Sequence, residues 1–108
     1  MDIQDLVRGV RNKLPEAQEE LYKIRDKKAV PILVAALKDS DSVVRYTVTK
    51  VLGFIKDERA IEPLIDRMLH DNDDDVRAKA VESLGMIGSK RATESMLITM
   101  KSSTLRIR

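Results

Sequence analysis

Val44–Ile55 reads VRYTVTKVLGFI, and Val76–Ile87, thirty-two residues further on, reads VRAKAVESLGMI. This register sets Val44 on Val76, Arg45 on Arg77, Leu52 on Leu84, Gly53 on Gly85 and Ile55 on Ile87. It continues through Arg59 with Arg91, Ala60 with Ala92, Glu62 with Glu94 and Met68 with Met100. Self-similarity at such a period marks a repeat architecture. The apolar residues Val44, Val48, Val51, Leu52 and Ile55 share one stripe of a helical wheel, so each copy contains an amphipathic helix.

Upstream, VPILVAALK (30–38) predicts a shorter helix with Pro31 in its first turn, where the missing N–H costs nothing. DSDS (39–42) turns the chain, and Asp41 or Ser42 caps the helix that follows. The next copy repeats this as AIEPLIDRML, HDNDDD and a helix ending at Gly88, a natural C-terminal cap. At the start, Ile3, Leu6, Val7 and Val10 predict a first helix that the Pro15 ring stops before or at Leu14. A second helix begins near Glu16. Its Ala17, Leu21 and Ile24 answer to Val48, Leu52 and Ile55, with Tyr22 in the place of Gly53 and Gly85. ATESMLITMK (92–101) opens a fourth copy that stops at Ile107–Arg108, before its second helix. One domain of three and a half copies follows: 1–28, 29–59, 60–91 and 92–108.

The pattern A-[VI]-x-P-L-[IV], a D-rich turn, V-R and L-G-x-I-G resembles the HEAT-like repeats named from phycobilisome lyases, over Ala17 to Arg108. Lys56, where a second glycine is usual, Tyr22 and the absent last helix depart from it. The physics agrees: a lone hairpin of this length cannot bury its apolar face, so copies stack side by side. The expected fold is all-α, a short right-handed α-solenoid (α-α superhelix) of helical hairpins. Gly53 and Gly85 are expected where neighbouring backbones approach too closely for a Cβ.

Twenty basic and eighteen acidic residues leave a formal charge of +2, which makes no case for nucleic acid by charge alone. The chain has no cysteine, which excludes disulfides, thiolate catalysis and thiolate metal sites. No apolar run approaches a spanning helix, and a cytoplasmic home is expected. Asp71, Asp73 and Asp75 with Glu82 imitate a calcium loop, but Val76 stands where that loop needs glycine, so no metal site is assigned. His70, the single histidine, has no partners for a triad or zinc site and reads as a surface residue. No catalytic or cofactor-binding residue is expected. Arg45 and Arg77 read as rungs of an Arg–Asp ladder between copies, with Asp41 or Asp73 as partners and Arg108 as a third rung.

In proteins of the resembled kind the second helices line the concave face. This places Val43, Tyr46, Thr47, Lys50 and Phe54 of one copy, and Lys79, Glu82 and Met86 of the next, in a groove. Tyr46 and Phe54, two turns apart, are candidate anchors for a protein partner; the alternative is that Phe54 tucks against a neighbouring helix. A non-catalytic interaction scaffold is the expected function. A chromophore-lyase subunit and a nucleic-acid groove are the alternatives, the first resting on the resemblance alone and the second weakened by Asp75 and Glu82 on the same face. Turn acids (Asp39, Asp41, Asp71, Asp73, Asp74, Asp75) and link bases (Lys27, Lys28, Lys56, Arg59, Lys90, Arg91) segregate to opposite edges, largely through helix-terminus preference. Ile98, Leu105 and Ile107 leave the last half-copy apolar and uncapped. It is expected to belong to a longer array or to join a homodimer through residues 92–107.

Overall fold

The computed structural model describes residues 2–88 together with 90, 93, 94, 97 and 98. Its helices fall into hairpins: α1 (Ile3–Arg11) with α2 (Pro15–Tyr22), α3 (Val30–Ala36) with α4 (Ser42–Ile55), and α5 (Ile61–His70) with α6 (Asp74–Ile87). Short 3-10 turns at Lys27–Ala29 and Glu58–Ala60 lead into α3 and α5. No strand occurs among the described residues. Residues 90, 93, 94, 97 and 98 are helical. The molecule is a short all-α solenoid, a row of 46 × 25 × 17 Å rather than a ball.

Local chemistry sets the helix ends. Asp41 accepts from the Val43 N–H at 2.8 Å and Asp73 from those of Asp75 and Val76, so the aspartate caps α4 and Ser42 is its first residue. Gly88 closes α6 in the left-handed region (φ 64°), donating its N–H to the Leu84 carbonyl. Lys56 does the same for α4 at φ 60°, at a cost on the order of 1 kcal/mol that glycine would avoid. Helix α1 stops at Arg11, earlier than the Pro15 ring requires. Asn12 to Leu14 form the turn, Lys13 is left-handed, and Pro15 occupies the first position of α2.

The stripes read from the sequence form one continuous core. Leu21, Leu33, Leu52, Ile61, Leu64 and Leu84 are essentially inaccessible, as are Val30, Val44, Val48, Val51 and Val76. Each such side chain contributes about 1.5–3 kcal/mol relative to exposure. Helix α4 lies between α2 and α6 in one layer, and α4 with α6 makes the most extensive contact between copies. Met68 packs half-buried against the core. Met96, Met100, Leu105 and Ile107 lie outside the described residues, as does most of the expected 92–107 dimer contact. Leu97 and Ile98 are described and exposed.

The turns are joined by a buried ion-pair ladder whose acid is neither Asp41 nor Asp73. Those two are occupied as caps. Arg45 crosses to the next copy, its Nε 2.9 Å and its Nη2 3.1 Å from the two carboxylate oxygens of Asp71. Its Nη1 donates to the carbonyls of Asp39 and Ser40, and Nη2 also reaches the Asn72 side chain. Together these engage all five guanidinium N–H groups. Asp71 in turn accepts from the Asp73 N–H at 3.0 Å and from Arg67 at 3.2 Å. One period earlier Asp39 repeats the arrangement, accepting from the Asp41 N–H and pairing with Arg11. Arg77 reaches the Asp71 carbonyl and Asp74. The expected third rung, Arg108, lies outside the described residues.

Burial works against the Asp71 carboxylate. The hydrogen bonds from Arg45 and the Asp73 N–H, with the charges of Arg45 and Arg67, outweigh it and hold the pKa below its ordinary value of 3.8. Arg11 does the same for Asp39, and Arg59 lowers Asp57 to about 2. A carboxylate with a depressed folded-state pKa stabilises above its unfolded value and loses that contribution as pH falls through the folded value. The urea midpoint is therefore expected to be flat from neutrality to about pH 5 and to fall steeply below about pH 4. Asp71→Asn, which strands Arg45, is expected to cost about 3–5 kcal/mol at pH 7 and to flatten the acid limb. An Asp71→Asn midpoint within error of wild type at pH 7 would show that the pair carries no register.

Candidate partner-binding groove

The outer faces of α2, α4 and α6 bring most of the predicted groove residues together, around aromatic rings covered by cations. Lys79 of α6 holds its Nζ 5.4 Å from the Tyr46 ring centroid and donates to Glu82 at 2.9 Å. That hydrogen bond, stronger than the opposing effect of partial burial, raises the Lys79 pKa above its ordinary value. Lys50 reaches over Tyr22 of α2 at 4.6 Å and towards Phe54 at 5.9 Å. Phe54 is also covered by the Arg25 guanidinium at 4.5 Å. Val43 is 49% exposed, and with Ser42, Tyr46, Asp73 and Asp75 it lines a shallow hollow of about 220 Å³. Met86 is half-buried and Glu82 exposed on α6.

Thr47 is corrected. It is fully buried, donating to the Val43 carbonyl at 2.7 Å and accepting from Gln18 of α2 at 3.0 Å. The wheel placed it opposite the core stripe, but α2 packs on that side of α4, so the residue belongs to the seam between copies. Tyr22, Arg25 and Gln18 contact the predicted residues Lys50, Phe54 and Thr47, and sequence reasoning missed them. The signal was present: Tyr22 replaces the repeat's glycine, and an aromatic at that position reaches out over the neighbouring α4.

The spacing of α4 and α6 depends on a close approach at Gly53. A Cβ there would lie 2.7–2.9 Å from the Oγ, Cβ and Cα of Ser83, too near for either helix to remain in place. Ser83 Oγ also donates to the Thr49 carbonyl at 2.8 Å, fixing the crossing that sets Lys79 against Tyr46. At Gly85, which is exposed, a Cβ would meet nothing within 4 Å among the described residues. The Thr49 hydroxyl, buried on α4, has no hydrogen-bond partner.

Other hollows lie among the first helices. The larger openings, about 500 and 530 Å³, flank Ile32 at the junction of α1 with α3. Both are open, and their rims carry charges of both signs. Among the described residues no group of three or more metal-ligating side chains converges, and no helix is long and apolar enough to cross a membrane. Asp71, one acid of the calcium-like run, is committed to Arg45, and His70 sits exposed beside Asp66.

Helical hairpins stacked through a shared core, with second helices in one layer and an Arg–Asp ladder along the turns, define an α-solenoid repeat protein. The profile for HEAT repeats matches residues 15–85, and that for the PBS lyase HEAT-like repeat matches residues 76–97. The chain belongs to the HEAT-repeat family, whose repeats generally mediate protein interactions. A search of curated proteins gave no match.

The two glycines should respond oppositely to alanine in urea denaturation. Gly53→Ala is expected to cost about 1–3 kcal/mol because α6 must shift. Gly85→Ala is expected to gain about 0.5–1 kcal/mol through helix propensity. Equal responses would remove the close approach as the determinant of helix spacing. Thr49→Val, which deletes the unpartnered hydroxyl at constant shape, is expected to raise stability by about 1 kcal/mol; a lower midpoint would mean that the hydroxyl finds a bond in solution.

Proposed function

We propose that the protein is a non-catalytic interaction module that holds an extended segment of a partner protein across α2, α4 and α6. Tyr46 and Phe54 are the anchors, flanked by Lys50, Lys79 and Glu82, with Val43 and Met86 as apolar margins. Thr47 acts beneath this surface by fixing α2 to α4. The observation that carries the reading is the state of the rings. Tyr46 and Phe54 are half-buried, and each is covered by a cation from a neighbouring element rather than tucked into the core. Rings held in advance lose little freedom when a partner covers them, which is where interface side chains gain most of their affinity.

Photo-crosslinking in the native cell tests this. A benzophenone side chain at Val43 or Met86 is expected to give discrete protein adducts that the Tyr46→Ala/Phe54→Ala variant loses. The same probe at Ile32 or Leu69, exposed on the first helices, is expected to give none of those adducts. Identical adducts from both sets, or adducts indifferent to the double substitution, would move the binding face elsewhere.

A further inference from the structure

The cations of the described residues are not all used alike, and the exceptions converge. Arg8, Arg11, Arg45, Arg59, Arg67 and Arg77 each hold a carboxylate. Arg25 is the one arginine among the described residues that does not. Its Nη1 donates to the carbonyls of Tyr22 and Ile24, at 2.6 and 2.8 Å, while its guanidinium lies over Phe54. Lys50 likewise has no acid among the described residues and rests on Tyr22 and Phe54. Two cations thus reach the same ring with no anion between them. Ring contacts of this kind contribute only about 0.5–1 kcal/mol at exposed sites and leave the positive charge un-neutralised. An arriving carboxylate would supply the missing counter-charge and take the guanidinium edge, Nε and Nη2, that the two carbonyls leave open.

We propose that Arg25, Lys50, Tyr22 and Phe54 form a subsite for the carboxylates of an acidic segment in the partner protein. The inference rests on the groove reading above and names the chemistry of its occupant. The choice of a peptide over nucleic acid follows from the rest of the face. Asp73 and Asp75 line the hollow beside Tyr46, and Glu82 stands exposed on α6. A polyanion continuing from Arg25 along the row would run into these acids. A short acidic stretch followed by apolar residues would set its carboxylates at Arg25 and Lys50 and its apolar side chains on Tyr46 and Val43.

Amide chemical-shift mapping of the full chain tests the subsite with synthetic peptides that share an apolar half and differ only in carrying a run of glutamate, glutamine or lysine. Single-stranded oligothymidylate is the fourth probe. The glutamate peptide is expected to shift the amides of Tyr22, Arg25, Lys50 and Phe54, to weaken with salt, and to lose about tenfold in affinity in Lys50→Gln while Lys50→Arg retains it. Lys50 is the informative position because Arg25 also holds the end of α2, and unchanged spectra elsewhere in Lys50→Gln verify its fold. Glutamine or lysine peptides acting equally on the same amides would overturn the acidic occupant and leave the groove reading intact. Tighter binding of the oligonucleotide, sensitive to Lys50→Gln, would replace the peptide with a nucleic acid. Silence of these amides towards every probe would overturn the subsite, and the crosslinks from Val43 and Met86 would then decide the groove independently.

Discussion

A hairpin of two short helices has more apolar surface than it can bury in itself, and the structure follows from that excess. Leu52 and Leu84 lose their water only because a neighbouring pair supplies the opposing wall, so the stabilising unit is the contact between copies. This forces the helices into layers. In the second-helix layer, α4 meets α6 closely enough that Gly53 has no room for a side chain. A surface made of closely packed parallel rows then offers seams, and the side chains bordering them come from different copies. Tyr46 with Lys79, and Phe54 with Arg25, are pairs of that kind.

Apolar burial is indifferent to small sliding of one hairpin along the next, whereas the ladder is not. The Arg45 fork meets the two oxygens of Asp71 in a single geometry, and its remaining donors read the carbonyls of its own turn. Desolvating such a pair offsets much of its attraction, so its contribution lies more in fixing register than in net stability. Register is what the second-helix face requires. A shift by one helical turn, about 5.4 Å, would carry Lys79 past Tyr46 altogether.

Features that repeat were legible in the sequence: the period, the core stripe, the aspartate caps and the Gly88 terminus are all local and recur thirty-two residues apart. What escaped depends on contacts between copies. The aspartates of each turn, two in DSDS (39–42) and four in HDNDDD (70–75), are equivalent to a pattern reader. Only the backbone shows that the first of them, Asp39 or Asp71, binds an arginine across the copies while Asp41 or Asp73 is consumed as the cap. At Gly53 the residue pressed against the glycine is Ser83 of the following copy, a contact that no single copy's sequence displays. Thr47 lay opposite the stripe on an isolated wheel and became interior once α2 was placed beside it. The same proximity hid Tyr22 and Arg25, which belong to the most degenerate copy and act on the residues of the next.

Two chemistries of arginine divide this molecule by function. Where the guanidinium is buried, as at Arg45, every N–H is spent on fixed oxygens, and the residue can do nothing but hold. Where it lies over a ring at an exposed position, as at Arg25, two carbonyls and the ring hold it without neutralising its charge, and its Nε and Nη2 have no acceptor among the described residues. A protein that used its acids only for cohesion would have paired Arg25 as it paired its other described arginines. Glu19 and Glu20 stand exposed on α2, just upstream in sequence, and Glu20 is taken by Lys23 instead. Charge that is positioned by a ring and not neutralised by an acid stays available to a carboxylate from outside, and the subsite proposed between α2 and α4 rests on that difference.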